Sequence, residues 1–229
     1  MHNRRKFLVQ TGMAATALLV AKPYKTIAGI SGPVNGFGDA NAVVFLHTGN
    51  TGCVHAEKHI SAIQQQYANI VLLHSGNTIP AKQHQLNYDL APGSDHNNSS
   101  NPGGYKIIYK GDFKIGVIHA GPAENNSINK INALSARLKK EQNCKLVVCL
   151  SPLGCRNKNG IDDISLAEQS AHIDIIIGSH EKNYWDQPLI AINQNQQEVV
   201  INYSASNAQD IGKIAIGFNR KGQKNNIAF

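Results

Sequence analysis

Several histidines of this 229-residue chain stand directly behind apolar runs. His47 follows "AVVFL", His74 follows "IVLL", His119 follows "GVI", and His180 follows "IIIGS", while His55 and His96 lie in more polar stretches. An imidazole at the end of a strand can ligate a divalent ion or move a proton near neutral pH. Asp95 precedes His96, which places a carboxylate beside an imidazole. Four cysteines add a second chemistry: Cys53, Cys144, Cys149 and Cys155. None forms a CxxC pair, and Cys149 lies in an apolar run where a buried thiol is expected. A catalytic Cys/His pair lacks any identifiable third group to orient it.

These residues need elements to position them, and the sequence alternates strands and helices. Continuous apolar runs predict buried strands at 42–47, 69–75, 144–151 and 174–180. "YKIIYKGDFKIGVIHA" predicts a hairpin turning at Gly111 and Asp112. Residues 55–67 predict a helix, with His59, Ile60, Ile63 and Tyr67 on related faces. The clearest helix starts at Ser127, a potential cap, with Ile128, Ile131, Leu134 and Leu138 on one side. "DDISLAEQSAHI" (162–173) predicts another, whose leading acids suit the helix dipole. Residues 76–104 are Asn-, Gly-, Ser- and Pro-rich and predict mostly loop. "PLIAIN", "EVVINYSA" and "GKIAIGF" predict short strands in an antiparallel tail. The pattern implies one α/β sandwich with mixed sheets, in which strand C-termini carry the chemistry.

Hydrophobic residues make up 41% of the chain and charged residues 16%, enough for a packed core. The formal charge of +7 comes from 22 basic and 15 acidic residues. Five of the basic residues (Arg4, Arg5, Lys6, Lys22, Lys25) precede residue 29, where there are no acids, so the remainder is 17 minus 15, or +2. That balance predicts neither nucleic acid nor an anionic membrane as partner. Residues 1–28 have the layout of a signal peptide, with Arg4-Arg5 resembling the twin-arginine export motif. The apolar run is shorter than the ~20 residues a membrane span needs. Residues 29–41 predict a Gly-rich linker, leaving 42–229 as the folded domain, exported to the periplasm or cell envelope with no span in the mature chain.

Five loops in order, "HTGNTG", "HSGN", "GSDHN", "LSPLG" and "GSHEK", resemble those of the calcineurin-like metallophosphoesterases, and more closely their bacterial 5′-nucleotidase branch. That branch reads roughly HTNDxH, DAGD, GNHEFD, LSHLG and GGHTH. The resemblance covers most of 42–220 and is strongest from Asn143 to Phe218. It implies a four-layer α/β sandwich with mixed sheets and a site where two metal ions clamp a phosphate and activate hydroxide. Carried over position by position, the ligands fall on Asn50, Gly52, Asn77, Ser94, Pro152, His180 and Lys182, and the catalytic histidine falls on Asp95. A gap shifted by one puts His96 at that catalytic position instead, which implies a mononuclear site of Asp95, His96 and His180; the plainer alternative is polar loop residues plus one relic. Only His180 keeps the family's ligand type. His47 matches a histidine that neighbours the family's site without ligating.

The replacements share a direction. Asn50 and Asn77 keep the size of aspartate but lose its charge, and Gly52 and Pro152 offer no side-chain ligand. Lys182 would repel a metal ion. The resemblance therefore implies a pseudo-enzyme that binds a protein or small-molecule ligand without a cofactor. An active nucleotidase with a reduced Mn, Zn or Fe site is one alternative, and a structural subunit of an envelope assembly is another. The segments flanking the third loop are shorter than is usual in the branch, and its C-terminal nucleotide-recognition domain has no counterpart. Cys53 and Cys155 lie just beyond matched loops and are either a disulfide or two thiols. Tyr184 and Trp185 form either an aromatic binding surface or a cover for the sheet edge.

Overall fold

The computed structural model describes residues 41–49, 56–76, 86–90, 104–120, 127–155, 161–178, 188–203 and 211–229. The proposed signal peptide and linker, up to residue 40, lie outside the described residues.

Two mixed sheets form the domain. The first strand, β1 (Ala42–Thr48), is buried at every position, as its unbroken apolar run predicts. It pairs in parallel with β2 (Ile70–His74) and antiparallel with β9 (Gly212–Phe218), and β10 (Lys224–Ala228) closes that four-stranded sheet. The six-stranded sheet has at its centre four parallel strands: β4 (Phe113–His119), β5 (Leu146–Ser151), β6 (Ile175–Gly178) and β8 (Glu198–Tyr203). Antiparallel β3 (Tyr105–Lys110) and β7 (Leu189–Ile192) form its edges.

Side chains alternate across each strand, so each sheet has two faces to cover. Phe45, Leu73, Ile115, Leu150 and Ile214 meet in one core shared by the two sheets. The other face of the large sheet, with Val147, Cys149, Ile176 and Ile201, forms a second core with Ile131, Leu138 and Leu166 from helices. On the outer face of the small sheet lie Val44 and Leu46, both fully buried. Lys213, paired in register with Leu46, places its Nζ 5.9 Å from the ring of Tyr67. Tyr67 follows α1 (Ala56–Gln64), the helix that buries Ile60.

The hairpin of β3 and β4 turns at Gly111 and Asp112 as expected. Gly111 has φ +54°, and a β-carbon there would meet Asn69 Oδ1 at 2.6 Å, so glycine suits the turn on two counts.

Two helices depart from expectation. The one from Ser127 is α-helical as α2 (Ser127–Ala136) and then widens into a π-turn over Arg137–Glu141. The wider turn still buries Leu138, which packs so close to Gly116 that a β-carbon there would lie 2.8 Å from Leu138 Cδ1. Asn143, at φ +54°, follows the C-cap Gln142. The other, α3 (Asp163–Gln169), is shorter than 162–173. Asp162 caps it by accepting from Ser165 N at 2.7 Å, and Ser170 ends it in extended backbone. Asp163 is not a solvated first-turn acid; it is fully buried.

Candidate functional site at the strand C-termini

Strands β1, β2, β4, β5, β6 and β8 all end at one pole. Two hydrogen bonds crossing between the sheets establish this: Ser75 Oγ donates to Gly178 O at 3.2 Å, and His47 Nε2 lies 2.8 Å from Asn202 Oδ1. In the sequence Asn50 and Gly52 come after β1, Asn77 after β2, Pro152 after β5, and His180 and Lys182 after β6, while Ser94, Asp95 and His96 lie between β2 and β3. Pro152 is half-buried directly behind Ser151, the last residue of β5. Asn50, Gly52, Asn77, Ser94, Asp95, His96, His180 and Lys182 lie outside the described residues, as do Cys53, Tyr184 and Trp185.

The pole's described polar groups include three buried or half-buried clusters. On the small sheet, Thr48 Oγ1 lies 2.8 Å from His74 Nδ1 and 2.9 Å from the hydroxyl of Tyr88. The His74 and Tyr88 rings pack with centroids 5.4 Å apart. Ser75 Oγ donates to Thr48 O at 3.2 Å, tying β2 to β1 where both strands end.

His47 points the other way, into the gap between the sheets. Because Asn202 presents its amide oxygen, Nε2 carries the proton and donates. Nδ1 then holds a buried lone pair with no hydrogen-bond partner among the described residues. Burial lowers the imidazole pKa to about 4, against the opposing pull of the Asn202 hydrogen bond, so His47 is neutral at physiological pH. Gly212, its register partner on β9, makes room for the ring: any β-carbon there would overlap the imidazole.

On the large sheet the centre is Asp163. Its Oδ1 accepts from Ser151 Oγ, and its Oδ2 accepts from Tyr203 OH at 2.7 Å. Ser151 Oγ in turn accepts from Leu153 N at 3.2 Å, so the carboxylate indirectly fixes the turn containing Pro152. Burial first, and then the negative charge of Asp163, raise the Tyr203 pKa, which keeps the phenol protonated as a donor. Buried Cys155 lies beside the same phenol. Gly178 has no side chain because the Tyr203 ring occupies that space.

Buried Cys149 belongs to the second core, and burial raises its thiol pKa, as for an inert thiol. Among the described residues there is no group of three or more His, Cys, Asp or Glu arranged to hold a metal ion. No helix among them is long and apolar enough to cross a membrane.

Sequence reasoning missed Asp163, Tyr203 and Asn202. Asp163 read as a helix-start acid and the other two as strand residues, because their partnership depends on strand order that no local pattern encodes. The one available signal was that "EVVINYSA" places two polar residues, Asn202 and Tyr203, at the end of an apolar run.

No protein-family model matches the chain, and no curated protein sequence matches it. Solved structures do. The NAD nucleotidase of Haemophilus influenzae superposes with a TM-score of 0.64 at 15% identity, over 82% of this chain and 49% of its own. A 5′-nucleotidase precursor from Thermus thermophilus gives 0.61 at 14%, over 82% and 53%. The calcineurin-like phosphoesterase YfkN from Bacillus subtilis gives 0.58 at 14%, over 81% of this chain and 88% of that one. The chain thus has the fold of the calcineurin-like phosphoesterases, and it spans about half the length of the two nucleotidases.

Proposed function

We propose that this chain, built on the fold of the calcineurin-like phosphoesterases, is a pseudo-enzyme that has lost the dinuclear metal site and acts by binding a protein or small-molecule ligand. The observation that carries this reading is the set of replacements at the matched loops: Asn50, Gly52, Asn77, Pro152 and Lys182 together remove charge and ligating atoms. Two divalent ions bring four positive charges, which carboxylates and imidazoles must offset. Two amides, a glycine, a proline, a serine and a lysine do not supply that donor set, and His180 alone cannot. The residues at these positions do not fit the metal pair.

The described strand ends support the reading from another side. Their polar groups are engaged with each other: Thr48 with His74 and Tyr88, and Asp163 with Ser151 and Tyr203. Internal hydrogen bonds of this kind hold the scaffold under the loops without needing an ion to organise them. The arrangement suits a rigid platform for binding. The leader-like segment around Arg4 and Arg5 supports export to the periplasm or envelope as part of the same proposal.

The competing reading is an active phosphoesterase with a reduced site at Asp95, His96 and His180. Metal analysis of the purified protein separates the two, together with hydrolysis of p-nitrophenyl phosphate and AMP with and without added Mn, Zn or Fe. A pseudo-enzyme shows neither metal nor turnover; bound metal with turnover overturns the proposal.

A further inference from the structure

The near-neutral charge of residues 29–229 conceals an asymmetry that only the fold reveals. At the strand N-terminal pole, opposite the candidate site, cations from separate parts of the chain converge. Lys139 and Lys224 each place Nζ 2.7 Å from a different oxygen of Asp174, just before β6. Lys139 Nζ also donates to Lys145 O at 2.7 Å. Lys145 is exposed, with Nζ 5.0 Å from the Phe113 ring and 5.9 Å from the Phe218 ring, beside the turn carrying Arg220 and Lys221. Lys145 N in turn bonds Lys114 O, and Lys114 Nζ lies 5.8 Å from the ring centre of Tyr109. Lys140 is exposed on the π-turn at the same end.

Among the described residues eight cations, with Lys110 paired to Asp89, meet five acids at this pole: Asp89, Asp112, Glu141, Asp174 and Glu198. That is 8 minus 5, or +3. The rest of residues 29–229 then carries 9 basic and 10 acidic residues, or −1. Burial lowers the His172 pKa, and Lys140 and Lys139 add smaller contributions in the same direction against the pull of Asp174. Asp174 is occupied by two lysines and by Val147 N, which leaves Lys140, Lys145, Arg220 and Lys221 to face solvent. Tyr109 stands at the rim, 66% exposed.

We propose that this pole docks on an anionic phospholipid surface, holding the candidate site away from the bilayer. The cations are spread over the ends of several strands and one helix, a broad face that suits a diffuse layer of headgroup charge. An exposed tyrosine beside lysines suits the headgroup level. A nucleic acid would call for a groove that tracks phosphates, or for several stacking aromatics; among its described residues this face offers one exposed tyrosine. The proposal does not depend on whether the opposite pole binds metal.

The test is co-sedimentation of the full chain with lipid vesicles. All variants share the basic N-terminal segment, so differences between them report the pole. Phosphatidylcholine vesicles with about 30% phosphatidylglycerol should bind the protein at about 50 mM salt and release it at about 500 mM, while pure phosphatidylcholine should not bind it. K140E/R220E/K221E should weaken binding by about fivefold or more, and K130E, on exposed α2 surface outside the pole, by less than about twofold. Should the triple variant fail to fold, K140E and K221E singly carry the test, each with a loss of about twofold. Triple-variant binding equal to wild type, equal binding to neutral vesicles, or tighter binding to a single-stranded oligonucleotide than to the anionic vesicles would each overturn the proposal.

Discussion

The two poles of the sandwich handle polar groups in opposite ways. At the strand C-termini they are buried and bonded to one another: His47 to Asn202, Thr48 to His74, Asp163 to Ser151 and Tyr203. At the strand N-termini they are exposed, charged and mostly of one sign, around Lys140, Lys145 and Lys221. A buried polar network costs heavily when one member is removed, because its partners keep their desolvation penalty. An exposed cation costs little to change but acts over a distance. The C-terminal pole should therefore be fragile in folding, and the N-terminal pole tolerant in folding but sensitive in association.

The largest effect is expected at Asp163. Asp163→Ala removes the carboxylate that accepts from the hydroxyls of Ser151 and Tyr203, and should cost about 4 kcal/mol in urea unfolding. Asp163→Asn keeps one acceptor oxygen and should cost about half as much. A loss below about 0.5 kcal/mol for the alanine variant would remove the network from the account.

Acid comes next. His47 binds a proton with a pKa of 6.5 in the ordinary state and about 4 in the fold. Between those values the unfolded chain holds a proton that the native chain does not. Stability should therefore fall as pH drops from 6.5 towards 4, with a slope of up to about 1.4 kcal/mol per unit and a total of about 3 kcal/mol. Unfolding curves at a series of pH values should show this slope, and His47→Gln should flatten it.

Gly212→Ala is expected to cost about 2 kcal/mol, since the new methyl overlaps the His47 ring and disturbs its bond to Asn202. The smallest effect belongs to the other pole. Lys140→Glu should change unfolding stability by less than about 0.5 kcal/mol. A cost comparable to that of Gly212→Ala would erase the contrast between the poles.

Much of the fold was legible because its signals are local. "AVVFLH" and the "LVVCLS" part of 144–151 are continuous apolar runs and became fully buried strands, and Gly111 and Asp112 marked the hairpin turn. The ordered loops pointed to the phosphoesterase fold that the solved structures share. The features that escaped depend on topology. Asp163 and Tyr203 are 40 residues apart, and His47 and Asn202 are 155 apart. Nothing in either segment specifies the strand order that joins them. The π-turn at Arg137–Glu141 escaped because the spacing of Ile131, Leu134 and Leu138 also fits a regular helix. The basic pole escaped because a net charge sums over the chain and says nothing about where the charges gather.

Metal content measured on protein purified without chelators tests most directly whether the strand C-terminal pole has lost the metal pair. A pseudo-enzyme should hold less than about a tenth of an equivalent of Mn, Zn or Fe per chain, with no hydrolysis of AMP after metal addition. About two equivalents, with AMP hydrolysis that chelation abolishes, would contradict it.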